Sequence, residues 1–125
     1  MLNAYGQNDQ SLDDLKHLAN QQAYDSTKVN LFIEIASKLY ASAPASSMVY
    51  SKRAINLATD IKYRKGLAYA HKNMGLAYYM KGEFLDAIRH WETSLSILEE
   101  INDENGVSNL LSNLGAVYQT KGDDP

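Results

Sequence analysis

The residues that could support chemistry are three histidines and several pairs of carboxylates. Such side chains bind metal ions or transfer protons when the fold brings them together in a suitable geometry. His17, His71 and His90 show neither the i, i+4 spacing of a helical metal site nor an accompanying acidic pair. The sequence therefore predicts no metal site.

The other residues with chemical potential also have structural explanations. Glu99-Glu100 and Asp103-Glu104 lie near a predicted helix end and turn, where solvation accounts for their charge. Gly75 and Gly82 do not form a phosphate loop, because Gly75 lies inside a predicted helix and no Gly-Lys-Ser/Thr follows. The chain has no cysteine, which excludes thiol nucleophiles, disulfides and thiolate zinc sites. We predict no catalytic residue, no cofactor and no enzyme activity for these residues.

Composition limits the partners that the chain could have. With 125 residues, 45% hydrophobic and 22% charged, it suits a single soluble domain. The net charge is −3 and the longest basic run is the Lys52-Arg53 pair, so nucleic-acid binding is not expected. No apolar stretch approaches the roughly 18 residues that span a bilayer, so we expect no membrane contact by this part of the protein.

The first residues bear on localisation. Met1 to Gly6 reads MLNAYG, and Ala4-Tyr5-Gly6 is a small-x-small triplet typical of the end of a secretory signal peptide. We predict that residues 1–10 are disordered and include a signal remnant, which would place the protein in the periplasm or elsewhere outside the cytoplasm. The alternative is a frayed polar N-terminus on a cytoplasmic protein.

Hydrophobic periodicity predicts helices almost throughout. The first spans 11–24 with Ser11 as its N-cap, and the others span about 28–41, 48–61, 65–81, 83–101 and 107–121. Pro44 is expected to stop the second helix, Ser46-Ser47 to cap the third, and Gly82 to end the fourth. A polar turn is expected over 102–106. No strand pattern competes, so the predicted fold class is all-α.

A pattern of residues occurs twice at a spacing of 40. Asn73, Gly75, Tyr78, Lys81 and Gly82 recur as Asn113, Gly115, Tyr118, Lys121 and Gly122. A period in this range is typical of stacked helical repeats. The same offset applied backwards places Ile35 at the position of Gly75 and Ser47 at that of Ala87, so the first repeat is degenerate.

Residues 67–99 resemble a tetratricopeptide repeat. The signature places are filled by Met74-Gly75, Tyr78, Gly82, Phe84, Ala87 and Trp91, whereas Ser94 and Glu99 depart from the pattern. The resemblance implies a right-handed α-solenoid of antiparallel helix pairs with an N-terminal capping helix. We expect repeats over about 25–64, 65–104 and a truncated 105–125. The unit is longer than the family's usual repeat of about 34 residues and is similar to a variant found in bacterial signalling proteins.

The family pattern assigns packing roles to several residues. Gly75 and Ala87 would let paired helices approach closely, and Tyr78, Phe84 and Trp91 would fill the space between them. The remaining packing positions that we predict are Gly82, Gly115 and Tyr118.

In this family the first helix of each pair lines a binding groove. The corresponding stripe consists of Tyr69, Lys72, Leu76, Tyr79, Met80, Asn109, Ser112, Ala116 and Gln119. Tyrosines among adaptable polar residues suit an extended peptide or a helix. The alternative is that they are ordinary solvated helix positions. The first repeat contributes Val29, Phe32, Ala36 and Tyr40, which the first helix is expected to cover as a cap.

Some members of the family clamp a C-terminal carboxylate with lysine, asparagine and arginine. Lys72 and Asn73 fit such a clamp, but the positions of its other members hold Phe32, Leu76, Asn109 and Asn113. The clamp is incomplete. Because Asn73 and Asn113 recur at one repeat position, we predict that they bond to a neighbouring helix backbone.

The last helix carries an apolar seam that nothing in the sequence covers. It consists of Leu110, Leu111, Leu114, Val117 and Tyr118. We expect these residues to associate and to form a homodimer through the C-terminal helix, either as a native property or as a consequence of the truncated third repeat.

The function predicted from the sequence is a non-catalytic protein–protein interaction module. Residues 25–58 resemble the opening repeat of bacterial receptors, which suggests a sensory or dimerisation region. The output would be a histidine kinase, a nucleotide cyclase or a transcription regulator beyond Pro125. The alternative is a free-standing adaptor that binds peptides. The sequence predicts a protein or peptide partner without identifying it.

Overall fold

The computed structural model of the chain describes residues 11–122 and shows six helices. They are α1 Leu12–Gln21, α2 Ser26–Leu39, α3 Pro44–Asp60, α4 Arg64–Met80, α5 Phe84–Glu100 and α6 Glu104–Gly122. No strand occurs within that range, and the predicted all-α, solenoid-like class is confirmed. The predicted disordered segment with its signal remnant, 1–10, lies outside the described residues, as do residues 123–125.

The last four helices begin at a constant interval. They start at Pro44, Arg64, Phe84 and Glu104, which are 20 residues apart. Since α3, α4 and α5 each have 17 residues, a three-residue turn completes each unit. The 40-residue sequence period therefore contains two halves of equal length.

These helices end in the same turn. Lys62, Gly82 and Asn102 have φ values of 60°, 78° and 59°, in the left-handed region. In each turn the next residue's N–H donates to a carbonyl five residues back, as Glu83 does to Tyr78 at 2.9 Å. The turns after α3 and α5 form the same bond at 2.8 and 2.9 Å. This is the Schellman arrangement, which satisfies carbonyls left free at a helix end. Gly82 is thus confirmed as a helix stop.

Side-chain caps fix three helix starts. The Ser11 hydroxyl accepts from the Asp14 N–H at 3.2 Å, which confirms the predicted N-cap of α1. Asp25 caps α2, and Asp103 accepts from the Gly106 N–H at 3.0 Å at the start of α6. The prediction of a turn over 102–106 is wrong for residues 104–106, because Asp103 caps a helix that begins at Glu104. Helix α1 is also shorter than the predicted 11–24.

The predicted start of α3 is wrong. The helix begins at Pro44, which occupies its first turn, where the missing proline N–H has no helical partner to lose. Ser47 is not a cap: it lies inside α3, fully buried, and its hydroxyl donates to the Ala36 carbonyl of α2 at 2.7 Å. A residue at the alanine position of the repeat thus ties two helices together.

The hydrophobic core lies between the paired helices and consists of two clusters. In the first, Leu15 and Ala19 of α1 pack with Val29, Phe32 and other residues of α2 and α3. Helix α1 therefore covers part of the first repeat, as expected of a cap, and Val29, Phe32 and Ala36 are buried, whereas Tyr40 is half-buried. The second cluster joins α4, α5 and α6.

Gly75 and Trp91 lie in close contact within the second helix pair. A Cβ added at Gly75 would lie 2.4 Å from the indole ring. Trp91 is buried and its Nε1 donates to the Lys72 carbonyl at 3.0 Å. Forty residues earlier the corresponding positions hold Ile35 and Ser51, both fully buried. Large and small residues have thus changed places between the two pairs, which explains how the degenerate first repeat keeps its packing.

Several predicted packing and association residues lie in other surroundings. Tyr78 is half-buried, and Ala87 is fully buried as predicted. Gly115 meets nothing within 4 Å, and Tyr118 is 50% exposed, because no described helix follows α6 to pack on them. Leu110, Leu114 and Val117 are buried in the second cluster, so the prediction that they form an uncovered seam is wrong. Only Leu111 and Tyr118 of that set are exposed.

Candidate protein-binding surfaces

The stripe predicted from the family pattern spans α4 and α6, and we call it the α4–α6 stripe. It consists of Tyr69, Lys72, Leu76, Tyr79 and Met80 on α4 and Asn109, Ser112, Ala116 and Gln119 on α6. The α4 members are half-buried except Met80, which is 46% exposed. All four α6 members are exposed. Much of the α4 half therefore already serves the fold.

Tyr69 links α4 to the start of α6. Its hydroxyl donates to one carboxylate oxygen of Asp103 at 2.7 Å, while the other oxygen accepts from Gly106 N–H. Burial, together with the bond to Asp103 and the charge of that carboxylate, raises the pKa of Tyr69 to about 12. The bonds from Gly106 and Tyr69 lower the pKa of Asp103. Tyr69 is thus a fixed, protonated donor at a helix junction.

Tyr79 and Lys72 also contact other side chains of the fold. The Tyr79 ring packs at centroid distances of 5.4 Å from Phe84 and 5.8 Å from Trp91. The Lys72 ammonium lies 5.8 Å from the centroid of Tyr69, a cation–π contact, and burial lowers the pKa of Lys72. The members that a partner can reach without disturbing the core are Met80 and the four on α6.

Asn73 does not belong to a ligand clamp. It is buried, and its side-chain N–H donates to the Ile33 carbonyl of α2 at 3.0 Å. Since α2 and α4 are the first helices of successive pairs, this bond ties one repeat to the next. The structural role predicted for Asn73 is confirmed.

A second surface, which the sequence did not indicate, is a groove between α3 and α5 with α4 as its floor. We call it the α3–α5 groove. Its volume is about 710 Å³, and it is lined by Ala45, Met48, Val49, Lys52, Arg53, Ile55, His71, Met74, Tyr78, Lys81 and His90. It shares no residue with the α4–α6 stripe.

Two histidines meet in this groove. The Nδ1 atoms of His71 and His90 lie 3.0 Å apart, so one imidazole donates and the other accepts. Tyr78 stacks on His90 at a centroid distance of 5.4 Å and an interplanar angle of 14°. Spacing within one helix could not reveal the pair, because α4 and α5 each supply one residue.

The surroundings keep both imidazoles neutral. Burial, His90 and the positive charge of Lys52 lower the pKa of His71 to about 4. Burial also lowers the pKa of His90, with Asp86 opposing the change and Lys52 adding to it. At neutral pH the pair is therefore an uncharged, hydrogen-bonded unit at the edge of an apolar surface.

The charged residues that line the groove are all cations: Lys52, Arg53 and Lys81. Lys81 lies 3.5 Å from Glu83 in an exposed pair, and the Arg53 guanidinium lies 5.0 Å from the centroid of Tyr50. The groove thus combines apolar walls with a basic rim.

The described residues lack two further features. Between residues 11 and 122, no group of three or more His, Cys, Asp or Glu side chains is placed to hold a metal ion. In that same range, none of the helices combines the length and apolar character needed to cross a membrane.

Comparison with known proteins gives one match. Residues 66–125, which include most of α4 and all of α5 and α6, match the tetratricopeptide repeat family. No curated protein and no solved structure is significantly similar to the chain.

Proposed function

We propose, from the match of residues 66–125 to the tetratricopeptide repeat, that this chain is a non-catalytic module that binds a segment of another protein. One observation carries the proposal. The matching part folds into stacked helices whose core leaves Met80 of α4 and Asn109, Ser112 and Gln119 of α6 exposed. Stacked repeats bind their partners on extended surfaces of this kind.

The chemistry of the α4–α6 stripe suits a peptide in extended or helical form. Asn109 and Gln119 each offer a donor and an acceptor, and Met80 offers a flexible apolar contact. The Tyr69–Asp103 bond links the start of α6 to α4, and the packing of α6 on α5 holds the rest of that helix. A fixed surface reduces the entropy lost on binding.

The test is selection of a displayed random-peptide library on the immobilised chain, followed by affinity measurement. We expect Met80→Glu with Ser112→Arg to weaken selected peptides at least about tenfold, since both residues are exposed and the fold should survive. Lys38→Glu, an exposed charge change on α2, is the control and should retain binding. Full affinity in the double variant, with its helicity intact, would remove the stripe from consideration.

We further propose a signalling context for the module. This rests on the similarity of residues 25–58 to the opening repeat of bacterial receptors and on the long 40-residue period. A kinase, cyclase or DNA-binding domain encoded beyond residue 125 would support it. A coding region that stops soon after the repeats would instead support the free-standing adaptor.

Two features of that context remain separate proposals. The first is a periplasmic or other extracytoplasmic location, based on the Ala4-Tyr5-Gly6 triplet, and recovery of the protein only from the cytoplasmic fraction of cells would contradict it. The second is homodimerisation through α6. Leu111 is 54% exposed, and Tyr118, about two helical turns further along, is 50% exposed.

A further inference from the structure

The α3–α5 groove has the properties of a second binding site. We propose that it binds an acidic segment of a partner protein that also carries large apolar side chains. This goes beyond the function proposed above, because it assigns a different face, a different set of residues and a definite chemical class of partner.

The walls provide the apolar part of the site. Val49 is 50% exposed on α3, although it is a large hydrophobic residue. Met48 beside it is half-buried, and Met74 and Tyr78 form the floor on α4. Methionine side chains adapt to the shape of a partner, and the flat Tyr78 ring is held by stacking on His90. These residues can therefore receive apolar side chains with little reorganisation.

The rim provides the charge. Lys52, Arg53 and Lys81 line the groove and no Asp or Glu does, although the whole chain carries a net charge of −3. Glu83 pairs with Lys81 and Asp86 lies near His90, so the positive excess of the groove comes mainly from Lys52 and Arg53. Lys52 also lies close enough to the histidine pair to oppose its protonation. Carboxylates beside an apolar anchor would offset this concentration of positive charge.

The histidine pair fixes the shape of the floor. Because each Nδ1 is used by the other ring, both imidazoles are held in place across α4 and α5. They present neutral aromatic surface next to Tyr78, at an interplanar angle of 27° to each other. A rigid, uncharged floor below a cationic rim matches a segment whose apolar side chains point inward and whose carboxylates lie outside.

Peptide display on the whole chain tests the proposal. A random-peptide library is selected on the wild-type chain and counter-selected on the Val49→Asp, Lys52→Glu double variant. We expect the surviving peptides to combine acidic residues with Leu, Phe or similar side chains. We also expect the double variant to bind them at least about tenfold more weakly. Their affinity for the wild type should fall with added salt, since the rim charges are exposed.

Controls separate this site from the α4–α6 stripe. Lys38→Glu makes the same charge change on α2, away from the groove, and should leave binding unchanged. The Met80→Glu, Ser112→Arg variant should also leave it unchanged, whereas it should weaken binding to the stripe at least about tenfold. In nuclear magnetic resonance spectra a groove peptide should shift the side-chain signals of His71 and His90.

Two results would overturn the proposal. One is a selected set without acidic residues, or with basic ones. The other is a set of peptides that bind the Val49→Asp, Lys52→Glu variant as tightly as the wild type. If Val49→Asp reduces helicity, Lys52→Glu alone is compared with Lys38→Glu, because the Lys52 side chain is exposed. The proposed function would survive either result, since its own variants lie on the other face.

Discussion

Gly75 and Gly115 occupy equivalent places in successive repeats, yet their surroundings differ. A Cβ at Gly75 would meet the Trp91 ring at 2.4 Å, which the buried indole cannot avoid without moving. We expect Gly75→Ala to lower the free energy of unfolding by about 1–3 kcal/mol through overpacking. Gly115→Ala, which meets nothing within 4 Å, should raise it by up to about 1 kcal/mol through helix propensity. Urea denaturation measures the free energy of unfolding of both variants. Equal changes in the two variants would contradict the difference in packing described for the two glycines.

The lowered pKa values of the histidine pair should make the stability of the fold depend on pH. His71 titrates near its ordinary value in the unfolded chain, but its pKa is about 4 in the fold, so the unfolded state binds more protons between about pH 6.5 and 4. The stability of the fold that depends on neutral His71 is fully present above the unfolded-state pKa and is lost as the pH falls through this window. With partial exposure and solvent screening, we expect a loss of about 1–2 kcal/mol.

Variants of two histidines test this expectation. His71→Gln keeps a hydrogen-bonding side chain but cannot be protonated, so its loss of stability between about pH 7 and pH 4.5 should be smaller than that of the wild type. His17→Gln changes an exposed residue of α1 and should behave as the wild type does. Denaturant midpoints at both pH values provide the measurement. A pH dependence that is the same in all three proteins would show that the pair does not govern it.

The turn that recurs between helices has the same left-handed residue position each time, and the residue type there affects stability. Lys62 holds the left-handed conformation that glycine adopts without strain at Gly82. For other residues this conformation costs roughly 1–2 kcal/mol. We therefore expect Lys62→Gly to stabilise the protein by about 0.5–1 kcal/mol and Gly82→Ala to destabilise it by about 1 kcal/mol. Thermal and urea unfolding measure both, and a less stable Lys62→Gly variant would contradict the assigned turn.

At the scale of the whole molecule, the fold decides how it can self-associate. Burial of Leu110, Leu114 and Val117 leaves Leu111 and Tyr118 as the exposed large apolar residues of α6. If α6 forms a dimer through them, Leu111→Glu with Tyr118→Lys should convert it to a monomer while helicity is retained. Light scattering over a range of concentrations gives the molar mass. A wild-type mass that stays at the monomer value of 14.0 kDa would remove self-association from the proposal.

Features that depend on local pattern could be predicted from the amino-acid sequence. Hydrophobic spacing placed six helices, and the 40-residue offset identified the repeats because each helix pair must bury the same stripe. Gly75, Ala87, Trp91 and Asn73 were assigned correctly for the same reason: a close contact between helices restricts residue size and type. The Schellman turns at Lys62 and Asn102 escaped prediction, since lysine and asparagine give a weaker signal than the glycine at 82.

Which surfaces are free became clear from the packing of the helices. Equivalent positions along a stack have different neighbours, so Gly115 and Tyr118 are open, whereas Gly75 is covered by Trp91 and Tyr78 is half-buried. The His71–His90 pair and the basic rim of the α3–α5 groove depend on how three helices pack together, and no spacing within one helix encodes that. Helix formation follows local periodicity, whereas a binding surface is what the packing of separate helices leaves uncovered.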